Sequence, residues 1–129
     1  YRTIATTGTC QDFGDLTQPR HYVAGAQDNS RGVFAGGYSS PFKTPVSATN
    51  VMDYNTIMTT GNTTDFGDLN FSGYGCRGNS NLSRGVFGPT NSNPSQIDYI
   101  DISTTGNATD FGDPSSNRYD QGPCSGPES

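Results

Sequence analysis

At 129 residues and a net charge of −5, the chain has the length of one ordinary domain and offers no basic footprint for nucleic acid. Leu, Ile, Val and Phe fill only 20 of the 129 positions, below the roughly 20% at which disorder becomes a competing description. The modest charge, the fourteen Phe and Tyr residues and the ordered repeats described next argue instead for a folded chain with a thin core, one that needs neighbouring repeats or partners to complete it. No run approaches the ~18 apolar residues of a membrane-spanning helix, so no membrane span is expected.

One phrase recurs along the chain. Tyr1 to Leu16, Tyr54 to Leu69 and Tyr99 to Pro114 share the order Tyr, Ile, Thr-Gly, Asp-Phe-Gly-Asp, with starts 53 and then 45 residues apart. A second phrase, Ser30-Arg31-Gly32-Val33-Phe34, returns 53 residues later as Ser83-Arg84-Gly85-Val86-Phe87. Self-similarity at such a period marks a repeat array whose modules bury apolar faces against one another. The units run 1–53, 54–98 and, in part, 99–129, the last ending in a Ser/Gly/Pro-rich tail expected to be irregular. The chain opens inside a repeat phrase and without Met, as expected of a processed or incompletely represented chain.

Each unit begins with a strand candidate, clearest in Ile97 to Ser103, where Ile and Tyr suit a pleated surface. Tyr1, Tyr54 and Tyr99 share one repeat position and Ile4, Ile57 and Ile102 another; both are read as repeat-to-repeat packing positions. The Gly-Asn of Thr59 to Asn62 and of Thr104 to Asn107 predicts a turn, since both residues tolerate positive φ. Asp-Phe-Gly-Asp follows at 12–15, 65–68 and 110–113, with Phe13, Phe66 and Phe111 as core anchors and the glycine permitting a tight bend. Calcium would want six to eight oxygens. The repeated carboxylates lack a dense ligand run, so the segment is read as a structural turn and no metal or cofactor is expected.

In the first unit a second strand is expected over 16–25, a polar turn over 27–30 and a short buried strand from Arg31 to the diglycine Gly36-Gly37. The second unit predicts strands at 71–76 and 84–88 around a turn at 78–81. The Ser/Pro/Thr-rich stretch 38–52 has a shorter counterpart, 89–97, as expected of an exposed loop. No segment carries a helical period. The chain reads all-β, as tandem repeats of short antiparallel strands, about two and a half units, either open or completed by neighbouring copies.

Chemistry-bearing residues are sparse. His21 is the only histidine, no Gly-x-Ser-x-Gly elbow is present, and a carboxylate pair repeated three times reads as structure, so no catalytic residue and no enzyme is expected. Arg31 and Arg84 share a repeat position and are expected to pair with the Asp-Phe-Gly-Asp carboxylates; the alternative is glycan or anion contact. Cys76 and Cys124 occupy related places in successive units and are a candidate disulfide, leaving Cys10 free or bonded to another subunit; the alternative is three unpaired small residues. Asn62, Asn70, Asn81 and Asn107 head Asn-x-Ser/Thr sequons and are candidate glycan acceptors, although turn chemistry also explains Gly-Asn.

The order of motifs resembles kelch-type β-propeller repeats. The corresponding residues are Gly36-Gly37, the variable loop after them, Val51-Met52-Asp53-Tyr54, Phe66 where the family commonly has Trp, and Pro19-Arg20-His21. The wording is also similar to repeats of large structural and fibre-like proteins of aquatic bacteriophages and environmental bacteria. The resemblance spans about residues 1–113; the second unit has Gly88-Pro89 in place of the diglycine and lacks Pro-Arg. A propeller typically needs four to eight blades, so the resemblance implies a ring closed between copies, a place in a longer array, or open linear stacking. It implies a non-enzymatic subunit of an extracellular filament or virion fibre, at an extracellular or virion-surface location, with the chain itself as the expected partner and glycans as bound or covalent additions. A kelch-like module that binds glycans or proteins is the alternative.

Overall fold

The computed structural model describes residues 1–2, 5, 7–39, 47–118 and 122. Ile4 and Cys124 lie outside the described residues, and so do most of the tail and the middle of the 38–52 loop. The described chain is all-β and its sheets are antiparallel. Strands β2 (Ala24–Gln27), β3 (Arg31–Ala35), β5 (Val51–Thr56) and β6 (Thr64–Asp68) form a first four-stranded meander in the order β2-β3-β5-β6. Strands β7 (Gly78–Ser80), β8 (Arg84–Phe87), β9 (Ile97–Asp101) and β10 (Thr109–Gly112) repeat that order in a second sheet. A two-stranded ribbon pairs β1 (Arg20–His21) with β4 (Tyr38–Ser39).

Sheet boundaries and sequence-unit boundaries do not coincide. The Tyr-to-Asp phrase that opens the second unit supplies part of β5 and all of β6, so it closes the first sheet. The phrase of the third unit closes the second sheet in the same way. The first copy makes the equivalent hairpin: Tyr1 and Gln11 exchange backbone hydrogen bonds, in the register of Tyr54↔Thr64 and Tyr99↔Thr109.

The two sheets meet along β2 and β7. Approach is close because both strands are glycine-bearing there: a Cβ on Gly78 would lie 2.1 Å from the Gly25 carbonyl oxygen. Ser80 Oγ also accepts from the Gln27 amide at 3.2 Å. The apolar core is continuous across both sheets and includes Val33, Met52, Phe66, Leu69, Phe71, Cys76, Phe87, Ile100 and Ile102. Its small size matches the thin apolar supply of the sequence.

Three local expectations are corrected. The turn expected at 78–81 is strand β7 followed by a turn at Asn81, and the strand expected at 71–76 is irregular. Gly73 stands at the repeat position of Arg20, and its backbone is spent on the segments flanking β3 and β5: Gly73 accepts from Gly37 and donates to Thr49. The second and third Asp-Phe-Gly-Asp segments are extended and not turns, although Asp110 Oδ1 accepts from the Gly112 amide as Asp12 Oδ1 does from that of Gly14. In β6 and β10 they are edge strands with a one-residue bulge at Phe66 and Phe111, because Asp65 and Gly67 oppose the adjacent residues Asp53 and Met52, and Asp110 and Gly112 oppose Asp98 and Ile97.

A polar device sits inside the fold. Asp53 is buried, and Arg20 bonds it at 2.7 Å with both side chains fully shielded from solvent. Thr17 Oγ1 donates to the same carboxylate at 2.6 Å, while the guanidinium also donates to the carbonyls of Phe34, Gly36 and Val51. Asp98 is equally buried but is held by neutral donors: the Asn70 amide at 2.7 Å, Asn70 Nδ2 at 3.1 Å and Gln96 Nε2 at 3.2 Å. Removing one partner of a buried pair strands the other charge. Arg20→Ala is therefore expected to lower unfolding stability by about 3–5 kcal/mol in urea denaturation; a loss below about 1 kcal/mol would show that Asp53 is held by its other donors.

Cys76 is a free, fully buried thiol, and its candidate partner Cys124 lies outside the described residues. Burial pushes its pKa from 9.0 up to about 12. Folding thus favours the neutral thiol, a contribution complete below the unfolded pKa and lost as pH rises from about 9 toward 12. At pH 8, a disulfide reagent is expected to leave Cys76 unlabelled in native protein and to label it in urea; peptide mapping that finds fast native labelling would contradict the burial.

Candidate functional site

The site that recurs is the junction between one bulged edge strand and the turn of the following unit. In the Phe-Gly bulge, Gly67 takes φ +138°, and its equivalent Gly14 takes +142°. This backbone leaves a slot where a side chain would stand: a Cβ on Gly67 would lie 2.4 Å from the Gly106 carbonyl oxygen, and one on Gly14 would lie 2.1 Å from that of Gly61. Glycine is needed there both for its φ and for its missing Cβ.

Three hydrogen bonds then close the junction, with the same pattern twice. Gly61 N–H donates to Phe13 C=O at 2.7 Å, Thr63 N–H donates to Asp15 C=O at 2.8 Å, and Asp15 N–H donates to Asn62 Oδ1 at 3.0 Å. In the next junction Gly106 donates to Phe66 at 2.7 Å, Ala108 donates to Asp68 at 2.8 Å, and Asp68 donates to Asn107 Oδ1 at 3.0 Å. An edge strand presents unpaired backbone groups, and here the neighbouring unit satisfies them. The Gly-Asn pair is thus a turn, as its residues suggest, and its asparagine carbonyl is also a connector.

Side chains on either side follow the repeat. Tyr1–Phe13, Tyr54–Phe66 and Tyr99–Phe111 are edge-to-face pairs with centroids 5.8, 5.9 and 5.9 Å apart. These pairs lie within one hairpin. Arg31 stacks over Tyr54 at 4.9 Å and Arg84 over Tyr99 at 4.6 Å. Neither forms the expected ion pair with an Asp-Phe-Gly-Asp carboxylate. Arg31 instead crosses to the other sheet, where Nη1 donates to Ile102 C=O at 3.1 Å and Ser103 C=O at 2.7 Å. Its guanidinium lies over Tyr54 of the adjacent strand β5, and these two carbonyls take its Nη1.

Burial at equivalent positions depends on what lies beside them. Ile102 is 0% exposed beneath the Arg31 contact, whereas Ile57 is 39% exposed. Phe66 is 2% exposed beside the second junction, whereas Phe111 is 53% exposed. The four sequon asparagines differ too. Asn62 and Asn107 are exposed with Oδ1 in a junction. Asn81 Oδ1 caps the turn before β8 by accepting from Ser83 and Arg84, as Asp28 caps the turn before β3. Asn70 Nδ2, the atom a glycan would take, already donates to Asp98 and to the Ala108 carbonyl.

Two further surfaces stand apart from the junctions. An open groove of about 370 Å³ lies between the sheets, lined by residues including Ala26, Gln27, Phe34, Asn79 and Ser80. An aromatic cluster joins His21, Tyr22, Tyr38 and Tyr74, with Tyr22 exposed and held at φ +58°. The sequence reading missed this cluster, because its members come from the ribbon and from the irregular 71–76 stretch. No group of three or more His, Cys, Asp or Glu side chains suited to a metal ion occurs among the described residues. No helix long and apolar enough to cross a membrane occurs among the described residues.

No protein-family model and no curated protein matches the chain.

Two glycines separate backbone strain from junction contact. Gly67 and Gly112 share the positive φ, but a Cβ on Gly112 meets nothing within 4 Å among the described residues. Gly67→Ala is expected to lose about 1–3 kcal/mol more stability than Gly112→Ala in thermal unfolding; equal losses would show that the close approach of Gly106 does not matter.

Proposed function

We propose that the protein is a non-enzymatic structural subunit, built of kelch-like blades, of an extracellular filament or virion fibre assembled by β-rich contacts between copies. The observation that carries the reading is the twice-repeated junction. The chain's dominant recurring chemistry is the joining of one repeat to the next, and the described residues present no comparably organised catalytic cluster. Two four-stranded meanders meeting along β2 and β7 fit consecutive blades with their first strands innermost. The extracellular setting rests on the resemblance to fibre-like repeats and on sequons at exposed turns.

A second reading, a glycan-binding module, is favoured by the aromatic cluster around Tyr22. Aromatic faces suit the apolar face of a sugar ring, and an exposed ring on a left-handed backbone is a feature that functional sites retain. Negative-stain electron microscopy of the purified protein separates the two. Regular fibres, or rings of several copies, are expected for the structural subunit. Dispersed single particles up to tens of micromolar would overturn it, and glycan-array binding lost in Tyr22→Ala would then establish the module.

A further inference from the structure

Resting on the structural reading above, the geometry points to one specific contact between copies: we infer that the Asp110–Asp113 bulge of one chain takes the Gly8–Cys10 turn of a second chain. The chain contains this joint twice already, between 12–15 and 61–63 and between 65–68 and 106–108. It also carries one further half of each kind. Gly112 holds φ +128° with the bulge of β10 in the register of β6. Around its Cβ direction nothing lies within 4 Å among the described residues, where Gly14 and Gly67 each receive a glycine carbonyl.

The complementary half is at the other end of the described chain. Gly8 holds φ +152°, beside +158° for Gly61 and +155° for Gly106, the two turn glycines that fill a slot. A Cβ on Gly8 likewise meets nothing within 4 Å among the described residues. The hairpin that carries it has the register of the two docked hairpins, with Tyr1 opposite Gln11. Gly8, Thr9 and Cys10 are all exposed. Each half therefore has the backbone conformation of the joint before the joint is made, which removes an ordering cost from association.

Repeat equivalence specifies the bonds. Gly8 N–H donates to Phe111 C=O, as Gly61 does to Phe13, and Cys10 N–H donates to Asp113 C=O, as Thr63 does to Asp15. The third bond is weakened. Asn62 and Asn107 offer Oδ1 to an Asp amide, but the equivalent residue is Thr9, whose shorter side chain has no amide carbonyl. This end is thus a looser version of the internal joints, suited to reversible association. Apolar cover is available as well: Phe111 is 53% exposed where the docked Phe66 is buried. The contact is head-to-tail, so it propagates unless the rotation per copy closes a ring.

Sedimentation velocity of the intact chain across a concentration series tests the contact. The wild-type chain is expected to associate reversibly, with Cys10 alkylation slowing as complexes form. Thr9→Asn restores the missing acceptor and is expected to tighten association about 2- to 10-fold, the value of one added hydrogen bond. Gly112→Ala fills the slot and is expected to abolish association. Because this substitution strains a positive φ, circular dichroism must show it folded; if it is not, the Thr9→Asn gain and Cys10 protection decide. Association insensitive to Thr9→Asn with Cys10 fully reactive would overturn this contact while leaving a structural assembly through some other face. A chain that stays monomeric in both wild type and Thr9→Asn would overturn the contact and the assembly reading together.

Discussion

The fold depends on how a bulged edge strand has its backbone satisfied. An edge strand in a sheet this narrow exposes a row of amides and carbonyls and invites arbitrary pairing. Here the Phe-Gly bulge twists the strand, and the turn of the next unit lands on it, taking the Phe66 and Asp68 carbonyls and offering Asn107 to the Asp68 amide. The edge is thereby converted from a generic template into a socket for one partner shape. The glycine that opens the socket and the glycine that enters it both need φ values rarely available to other residues, so this recognition resides in the backbone.

This constraint explains why so little apolar material suffices. The core is a single small cluster shared by both sheets, and much of the interior is polar. The buried Asp53 and Asp98 act as internal braces, since each ties the strand before an Asp-Tyr pair to the segment after an Asp-Phe-Gly-Asp bulge, through Thr17 in one case and Asn70 in the other. The first brace adds Arg20 and three backbone carbonyls; the second replaces the guanidinium with neutral amides. Where Arg20 is present, the ribbon β1–β4 forms beside it. Where Gly73 stands instead, Thr90 packs against the bare backbone and the chain remains irregular.

Much of this was legible in the sequence, in proportion to how local the cause is. The period, the all-β class and the turns at Gly61-Asn62 and Gly106-Asn107 follow from residue type and spacing alone. The bulge was misread as a turn, because Asp, Gly and Asp are turn residues and only the pairing partner reveals that the segment is extended. The Arg31 and Arg84 positions were recognised as equivalent but given the wrong acceptors, since opposite charge in the sequence says nothing about which face of β3 a side chain leaves. Strand β7 was missed because Gly78-Asn79-Ser80 has no β propensity of its own; it is held by Phe87, Val86 and Gly85 opposite and by the close approach of β2. Asp53 gave one unused signal, a charge placed next to Val51 and Met52 in a strand pattern.

Equivalent residues with unequal burial show where cooperativity lies. Ile57 and Ile102 have the same repeat position and the same local backbone bond, to Ser30 and Ser83 respectively, yet only Ile102 is sealed, because another unit lies over it. The free energy of such a residue belongs to the interface between units and not to the unit that contains it. At roughly 25 cal/mol per Å² of apolar surface removed from water, the exposed Phe111 and Ile57 lack part of the stabilisation that their covered equivalents Phe66 and Ile102 gain. In an array of this kind, stability is a sum of small intrinsic terms and larger nearest-neighbour terms. Each unit that covers another therefore stabilises its neighbour as well as itself, so that folding of the covered and covering repeats is coupled.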